Sequence, residues 1–205
     1  MPSSTSVTPN SMETCQPIIE SDPQLREIKT LLRLRMNGEV STAMRKSGLD
    51  YKVNFGLDAF SIREIAAKYQ PDAELAEKLW AENARECKIL ATLLYPKEAF
   101  TTEKADTWLD QCILPELTEQ LSFNLLQHLP FAPVKASEWI FQKTENQKTG
   151  GYTLALRMLL RKIELPDLKR LQDEAEKDCF STNYQLTQTA TRFLERARYI
   201  LMGSL

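Results

Sequence analysis

The sequence predicts an all-α protein, a curved α-solenoid built as a continuous array of stacked helices. Three observations carry this. Apolar residues recur at helical spacing: Cys87, Leu90, Ala91 and Leu94 fall at i, i+3, i+4 and i+7 and form one face. Capping residues and prolines recur at the intervals where short helices start and stop. No β pattern long enough to build a sheet appears. Helices this short cannot each bury an apolar face alone, so they must stack on their neighbours. More than half of the chain is therefore expected in helix, with no sheet.

Taken in order, residues 1–20 are rich in Ser, Thr and Pro without periodicity and are expected to form a disordered tail. Residues 21–205 then form one repeat domain. Ser21-Asp22-Pro23 opens a helix predicted to reach about Asn37, with Gly38 as its stop. Leu25, Ile28, Leu31, Leu32 and Met36 make its apolar side. A short helix ending at Gly48 carries Arg45 and Lys46. Tyr51, Val53 and Phe55 alternate as in a strand, but no partner strand is evident, so the segment reads as an ordered loop between helices. The next helix starts near Ala59. Pro71-Asp72 offers a first turn for another, and Asn83 a cap for a third, with Arg85 and Lys88 off its apolar face.

Tyr95-Pro96 closes that helix, and Thr101 or Thr102 opens the one holding Trp108. Pro115 suits the first position of a helix that Pro130 ends. Further helices are predicted at about 134–143, 152–162, 166–178 and 182–202, with Gly150-Gly151 as a break in the array. The last gathers Leu186, Ala190, Phe193, Leu194 and Ala197 on one face, with Arg192 and Arg196 one turn apart beside it.

Composition narrows the function classes. No apolar run approaches the ~18 residues of a membrane span, and no basic stretch followed by an apolar one marks a secretory signal. Cys15, Cys87, Cys112 and Cys179 are scattered, and His128 is the single histidine. A zinc site is not expected, nor any cofactor; free thiols in a reducing cytoplasm are. Phosphate-binding, metalloprotease and serine-hydrolase motifs are absent. The net charge of −2 is uneven: residues 26–52 carry +4 and 139–205 carry +3, while 97–138 carry −4. Nucleic acid can still bind, because phosphates respond to local clusters rather than net charge.

The stretch from Leu49 to Leu94, with YKVNFGLD, IREIAAKY, LAEKLW and RECKILATLL, resembles the AlkD-like DNA alkylation repair family. That resemblance implies HEAT-like repeats with a concave face. It implies an enzyme class too: monofunctional glycosylases removing cationic N3- or N7-alkylated purines, alongside relatives that bind DNA without excising a base. The segment around Lys52 would face DNA, making Lys52 a candidate phosphate contact. Arg45 and Lys46 from the first basic region, and Arg157, Arg161, Arg192 and Arg196 from the second, are the other candidates, expected to converge on the concave surface.

The chemistry of such a glycosylase needs a carboxylate beside the sugar and electron-rich rings near the developing cation, with an arginine on the flanking phosphate. The family pattern is a tryptophan, an acid, and a second acid three residues on, with an aromatic-arginine pair later. The best match places Glu116 and Glu119 on the acids, Glu119 as catalytic carboxylate, and Pro115 where tryptophan is expected. A second register runs through Trp108-Leu109-Asp110 and makes Asp110 the acid. Tyr152 matches the later aromatic, but Thr153 follows it, and Arg157 is the nearest arginine. Phe193 stands for a further aromatic. Trp108, Tyr152 and Phe193 are thus candidate base- or sugar-stacking residues. Bland readings compete: acids in a first turn complement the helix dipole, and Trp80, Trp108 and Trp139 suit core packing.

The expectation is a monomeric DNA-binding protein, acting on duplex, damaged or branched DNA, with a degenerate glycosylase site. The competing reading is a non-enzymatic solenoid that binds protein. An acidic concave face favours the latter; a basic one favours DNA.

Overall fold

Side-chain caps set most of the helix starts. Asp22, Asn37, Asp58, Asp72, Thr101 and Thr144 each accept a hydrogen bond from a backbone N–H of the turn that follows. Each satisfies a donor that the helix itself leaves free. The computed structural model describes residues 22–202, and side chains as far as Ile200. The tail expected over residues 1–20, with Cys15, lies outside the described residues.

Eleven α-helices follow among the described residues: α1 (Pro23–Leu34), α2 (Gly38–Lys46), α3 (Ala59–Ala66), α4 (Ala73–Ala81), α5 (Arg85–Leu94), α6 (Thr102–Asp110), α7 (Pro115–Asn124), α8 (Ala132–Ile140), α9 (Glu145–Leu160), α10 (Leu168–Asp178) and α11 (Tyr184–Met202). Short 3₁₀ turns lie at Lys97–Ala99 and Leu126–His128. More than half of the 205 residues are helical, as expected. No strand occurs among the described residues. The extended segment after α2 makes one parallel bridge, Val53 to Ala84. It is closed by Val53 N–H donating to the Asn83 carbonyl (3.1 Å) and Arg85 N–H to the Val53 carbonyl (3.0 Å).

Several local expectations are corrected. Gly38 does not stop α1; α1 ends at Leu34, and Gly38 opens α2 under the Asn37 cap. Met36 is therefore exposed between the two helices rather than on the apolar side. Asp72 caps α4, with Pro71 ahead of the helix. Asn83 does not cap α5: Ala84 holds the cap position without a side-chain cap, and the Asn83 backbone carbonyl accepts from Val53. The helix from Pro115 ends at Asn124, with the 3₁₀ turn following it. Gly150 and Gly151 do not break the array; both are buried inside α9. There a Cβ on Gly151 would lie 2.7 Å from the Ile140 backbone nitrogen and 3.0 Å from the Ala136 carbonyl oxygen. Two glycines let α9 press against α6 and α8, and close packing outweighs their poor helix propensity of about 1 kcal/mol each.

The helices form two layers. In one, α3 packs on α5, α5 on α7, α7 on α9 and α9 on α11; α4, α8 and α10 back α5, α9 and α11 from the other side. One apolar core runs through the stack from Ile28 to Ala197. At its centre the Trp80 and Trp108 rings lie parallel, 3.9 Å apart, with Tyr95 and Phe100 edge-on to Trp108. α5 is enclosed almost all round, burying even Arg85 and Glu86.

Candidate nucleic-acid interface

The free surface of the α3–α5–α7–α9–α11 layer holds the convergent polar groups. Helix α7 sets its centre. Leu117, Thr118, Leu121 and Ser122 point into the core, which leaves Glu116, Glu119, Gln120 and Phe123 on the other side, at helical spacing.

Glu116 is already engaged. It accepts from Arg85 Nε (2.9 Å) and Nη2 (2.5 Å), a fork-on-fork pair, and Arg85 Nη1 donates to Glu86 (3.0 Å) and to the Leu57 carbonyl (2.9 Å). Glu86 accepts in turn from the backbone N–H groups of Phe55 and Leu57. This network ties the loop before α3 to α5 and α7. It also holds Tyr51 beside Glu116, where burial and then that carboxylate push the phenol well above its usual range.

Glu119 faces outward. Arg192 of α11 reaches it at 3.7 Å. Arg157 of α9 lies near enough for Glu119 to favour its charge, although burial pulls the guanidinium below its ordinary value. One turn along α7, the ring of Phe123 is 37% exposed. The Arg157 guanidinium carbon sits 4.2 Å from its centroid and that of Arg63, from α3, 5.3 Å. Four helices thus bring three arginines, one aromatic ring and one carboxylate onto one surface. The cleft beside them, lined by Arg63, Arg85, Gln120 and Asn124, has a volume of about 10 Å³, room for a single water at most.

The other sequence-expected residues are distributed elsewhere. Arg161 donates to the Gln127 carbonyl at the 3₁₀ turn after α7. Arg196 lies over the ring of Tyr199 (5.4 Å) and lines a separate cleft with Leu159, Ile163 and Leu165. Lys52 borders a cleft with Lys29, Arg33 and Lys78, outside α9 and α11. Arg45 and Lys46 close α2 and are exposed. No contact among the described residues joins Arg45, Lys46 or Lys52 to the arginines of α9 and α11. Asp110 ends α6 and accepts from Gln147, at the end of α9 remote from Arg157.

The three stacking candidates are corrected outright. Trp108 is 1% exposed, Tyr152 and Phe193 0%. Trp108 is held in the tryptophan stack, and Tyr152 packs on Phe193 while its hydroxyl donates to Asp178 at 2.7 Å. None offers a ring face to a ligand. Phe123 and Arg63, absent from the sequence-expected set, occupy the surface instead. A signal for Phe123 existed: an aromatic one helical turn after Glu119, off the Leu117–Leu121 face. For Arg63, on α3, no local signal points to α7.

Among the described residues, no group of three or more His, Cys, Asp and Glu side chains could hold a metal ion, and no helix is long and apolar enough to cross a membrane.

Paired helices in two layers, with arginines gathered on one face, define a helical-repeat protein. The chain belongs to the DNA alkylation repair enzyme family, whose model matches residues 28–190. It is similar to a solved structure from a new family of proteins related to the HEAT-like repeat DNA glycosylases, with affinity for branched DNA structures. The two share 16% identity and a TM-score of 0.78, over 88% of this chain and 79% of that one. At that identity the likeness is one of fold, and the fold is the HEAT-like repeat array. No curated protein sequence matches.

Proposed function

We propose that this protein binds DNA, including damaged or branched DNA, through the face formed by α3, α7, α9 and α11, and that it carries a degenerate glycosylase site there. The observation that carries the reading is the setting of Glu119, an exposed carboxylate flanked by Arg192 and Arg157 and followed one turn later by Phe123. Three arginines against one exposed carboxylate make this face basic, which favours DNA over the protein-scaffold alternative. The affinity of the similar structure for branched DNA supports the same choice.

The same setting weakens excision. Glycosidic cleavage of a cationic alkylpurine builds positive charge on the sugar, and a carboxylate lowers that barrier only if its own charge is uncommitted. Arg192 and Arg157 both draw on Glu119. Pro115 stands where a tryptophan is expected, and losing that ring costs ~0.5–2 kcal/mol. No arginine follows Tyr152, which is buried; a missing charged hydrogen bond to phosphate costs ~1.5–3 kcal/mol. Together these slow excision by roughly two to three decades. Single-turnover release of 7-methylguanine and 3-methyladenine from a methylated oligonucleotide tests this. The expected result is weak or no release, with any residue of activity lost in Glu119→Gln. Release at the rate of an active family member contradicts the degenerate site, and activity that survives Glu119→Gln moves the acid to Asp110.

A further inference from the structure

We infer that Phe123 is a stacking platform for a neutral, unpaired base, so that this face prefers DNA holding an unstacked nucleotide to continuous duplex. The inference rests on the DNA-binding reading above and names the feature of DNA that the site takes. Phe123 is a large apolar ring on a surface otherwise built of arginines, a carboxylate and amides, and the core makes no use of its exposed part. The neighbouring cleft, at about 10 Å³, cannot admit a base. A nucleobase meeting this face must therefore lie on its surface, and the ring is the flat apolar element it finds.

The arginines define the geometry and the charge preference. A guanidinium is planar and stacks on aromatic rings as a base does. The Arg157 guanidinium carbon lies 4.2 Å from the ring centroid, so a base reaches that part of Phe123 by displacing it. Aromatic rings also attract cations, but Arg63 and Arg157 already supply two. A cationic alkylpurine would bring a third positive charge to the same ring. Neutral bases meet no such repulsion, so the platform selects for exposure of a base rather than for alkylation. Bases inside a continuous duplex are stacked on each other and do not reach the ring. A bulge, gap or junction releases one.

Fluorescence titration with two oligonucleotide duplexes tests this, one carrying a single bulged 2-aminopurine and one carrying it paired. The wild-type protein should bind the bulged duplex more tightly and quench its fluorescence. Phe123→Ala and Phe123→Leu should both lose affinity for the bulged duplex by roughly 5- to 100-fold, the range for one base–aromatic stack. Both should lose clearly less on the paired duplex, and Phe123→Trp should keep the preference. Methylating a bulged guanine at N7 should bring no gain. Equal affinity of the wild type for both duplexes, or equal losses on both in the variants, overturns the inference while DNA binding stands. Tighter binding of the methylated bulge overturns the selection for neutral bases. No binding to either duplex at low salt overturns the DNA-binding reading and this inference with it.

Discussion

Arg85 and Glu116, 31 residues apart, meet through two parallel hydrogen bonds of 2.9 and 2.5 Å. The Arg85 side chain is 5% exposed, and the same guanidinium also neutralises Glu86, which is fully buried. Removing it strands the Glu86 carboxylate in the protein interior and leaves Glu116, at 19% exposure, without its partner. Breaking a buried pair from one side costs about 3–5 kcal/mol, so Arg85→Ala is expected to lose that much in urea unfolding. Glu116→Gln keeps a hydrogen-bond acceptor for Arg85 and should lose clearly less. Equal losses would mean that the network does not centre on Arg85.

Gly151 and Gly150 differ in what surrounds them. A Cβ on Gly151 meets backbone of α8, whereas one on Gly150 meets the Leu109 side chain at 2.5 Å. A side chain can turn aside more cheaply than backbone can shift. Gly151→Ala is expected to destabilise by about 1–3 kcal/mol. Gly150→Ala should cost less, because Leu109 yields and alanine gains about 1 kcal/mol of helix propensity. Thermal melts of the two variants give the order, and a reversed order would refute this packing account.

Trp108 should affect stability and leave DNA affinity alone. Its burial against Trp80 predicts a loss of about 3–5 kcal/mol in Trp108→Ala. Trp108→Phe, which keeps a ring in the stack with Tyr95 and Phe100, should remain folded and bind DNA as wild type does. A selective drop in DNA affinity in Trp108→Phe would return Trp108 to the ligand site.

Acid should weaken the α9–α10 contact. Hydrogen bonds from Lys148 and then Lys177 hold Glu174 below the usual carboxylate range, against the opposing pull of burial. A carboxylate with a lowered folded pKa stabilises above its unfolded pKa of 4.5 and loses that contribution as pH falls through the folded value. Urea midpoints taken from about pH 6 down to pH 3 should fall more steeply for wild type than for Glu174→Gln. Parallel curves would show that Glu174 is not a source of the acid sensitivity.

Local patterns made the architecture legible. The i, i+3, i+4, i+7 apolar sets placed α5 and α11, and Asp22, Thr101 and Pro115 marked helix starts where the structure has them. Gly38 and Gly150-Gly151 misled because glycine weakens a helix locally, while cap geometry at Asn37 and close packing of α9 decided the outcome. The candidate site was legible only in part. Glu119, Arg157 and Arg192 do meet, but Trp108, Tyr152 and Phe193 went to the core, since aromatic rings satisfy packing as readily as binding. The Arg85–Glu116 pair and the Arg63–Phe123 contact join residues far apart in the chain, and no local periodicity reports such pairs.

On the proposed reading, Arg157 and Arg192 hold DNA phosphates on the α9–α11 face. The affinity for duplex and branched DNA across salt concentrations, for wild type and for the Arg157→Ala/Arg192→Ala double variant, tests this most directly. Each lost phosphate contact flattens the plot of log affinity against log salt by about one unit. The slope should be shallower by about two in the variant, with weaker binding to every sequence. An unchanged slope, or no affinity of the wild type at low salt, would contradict it.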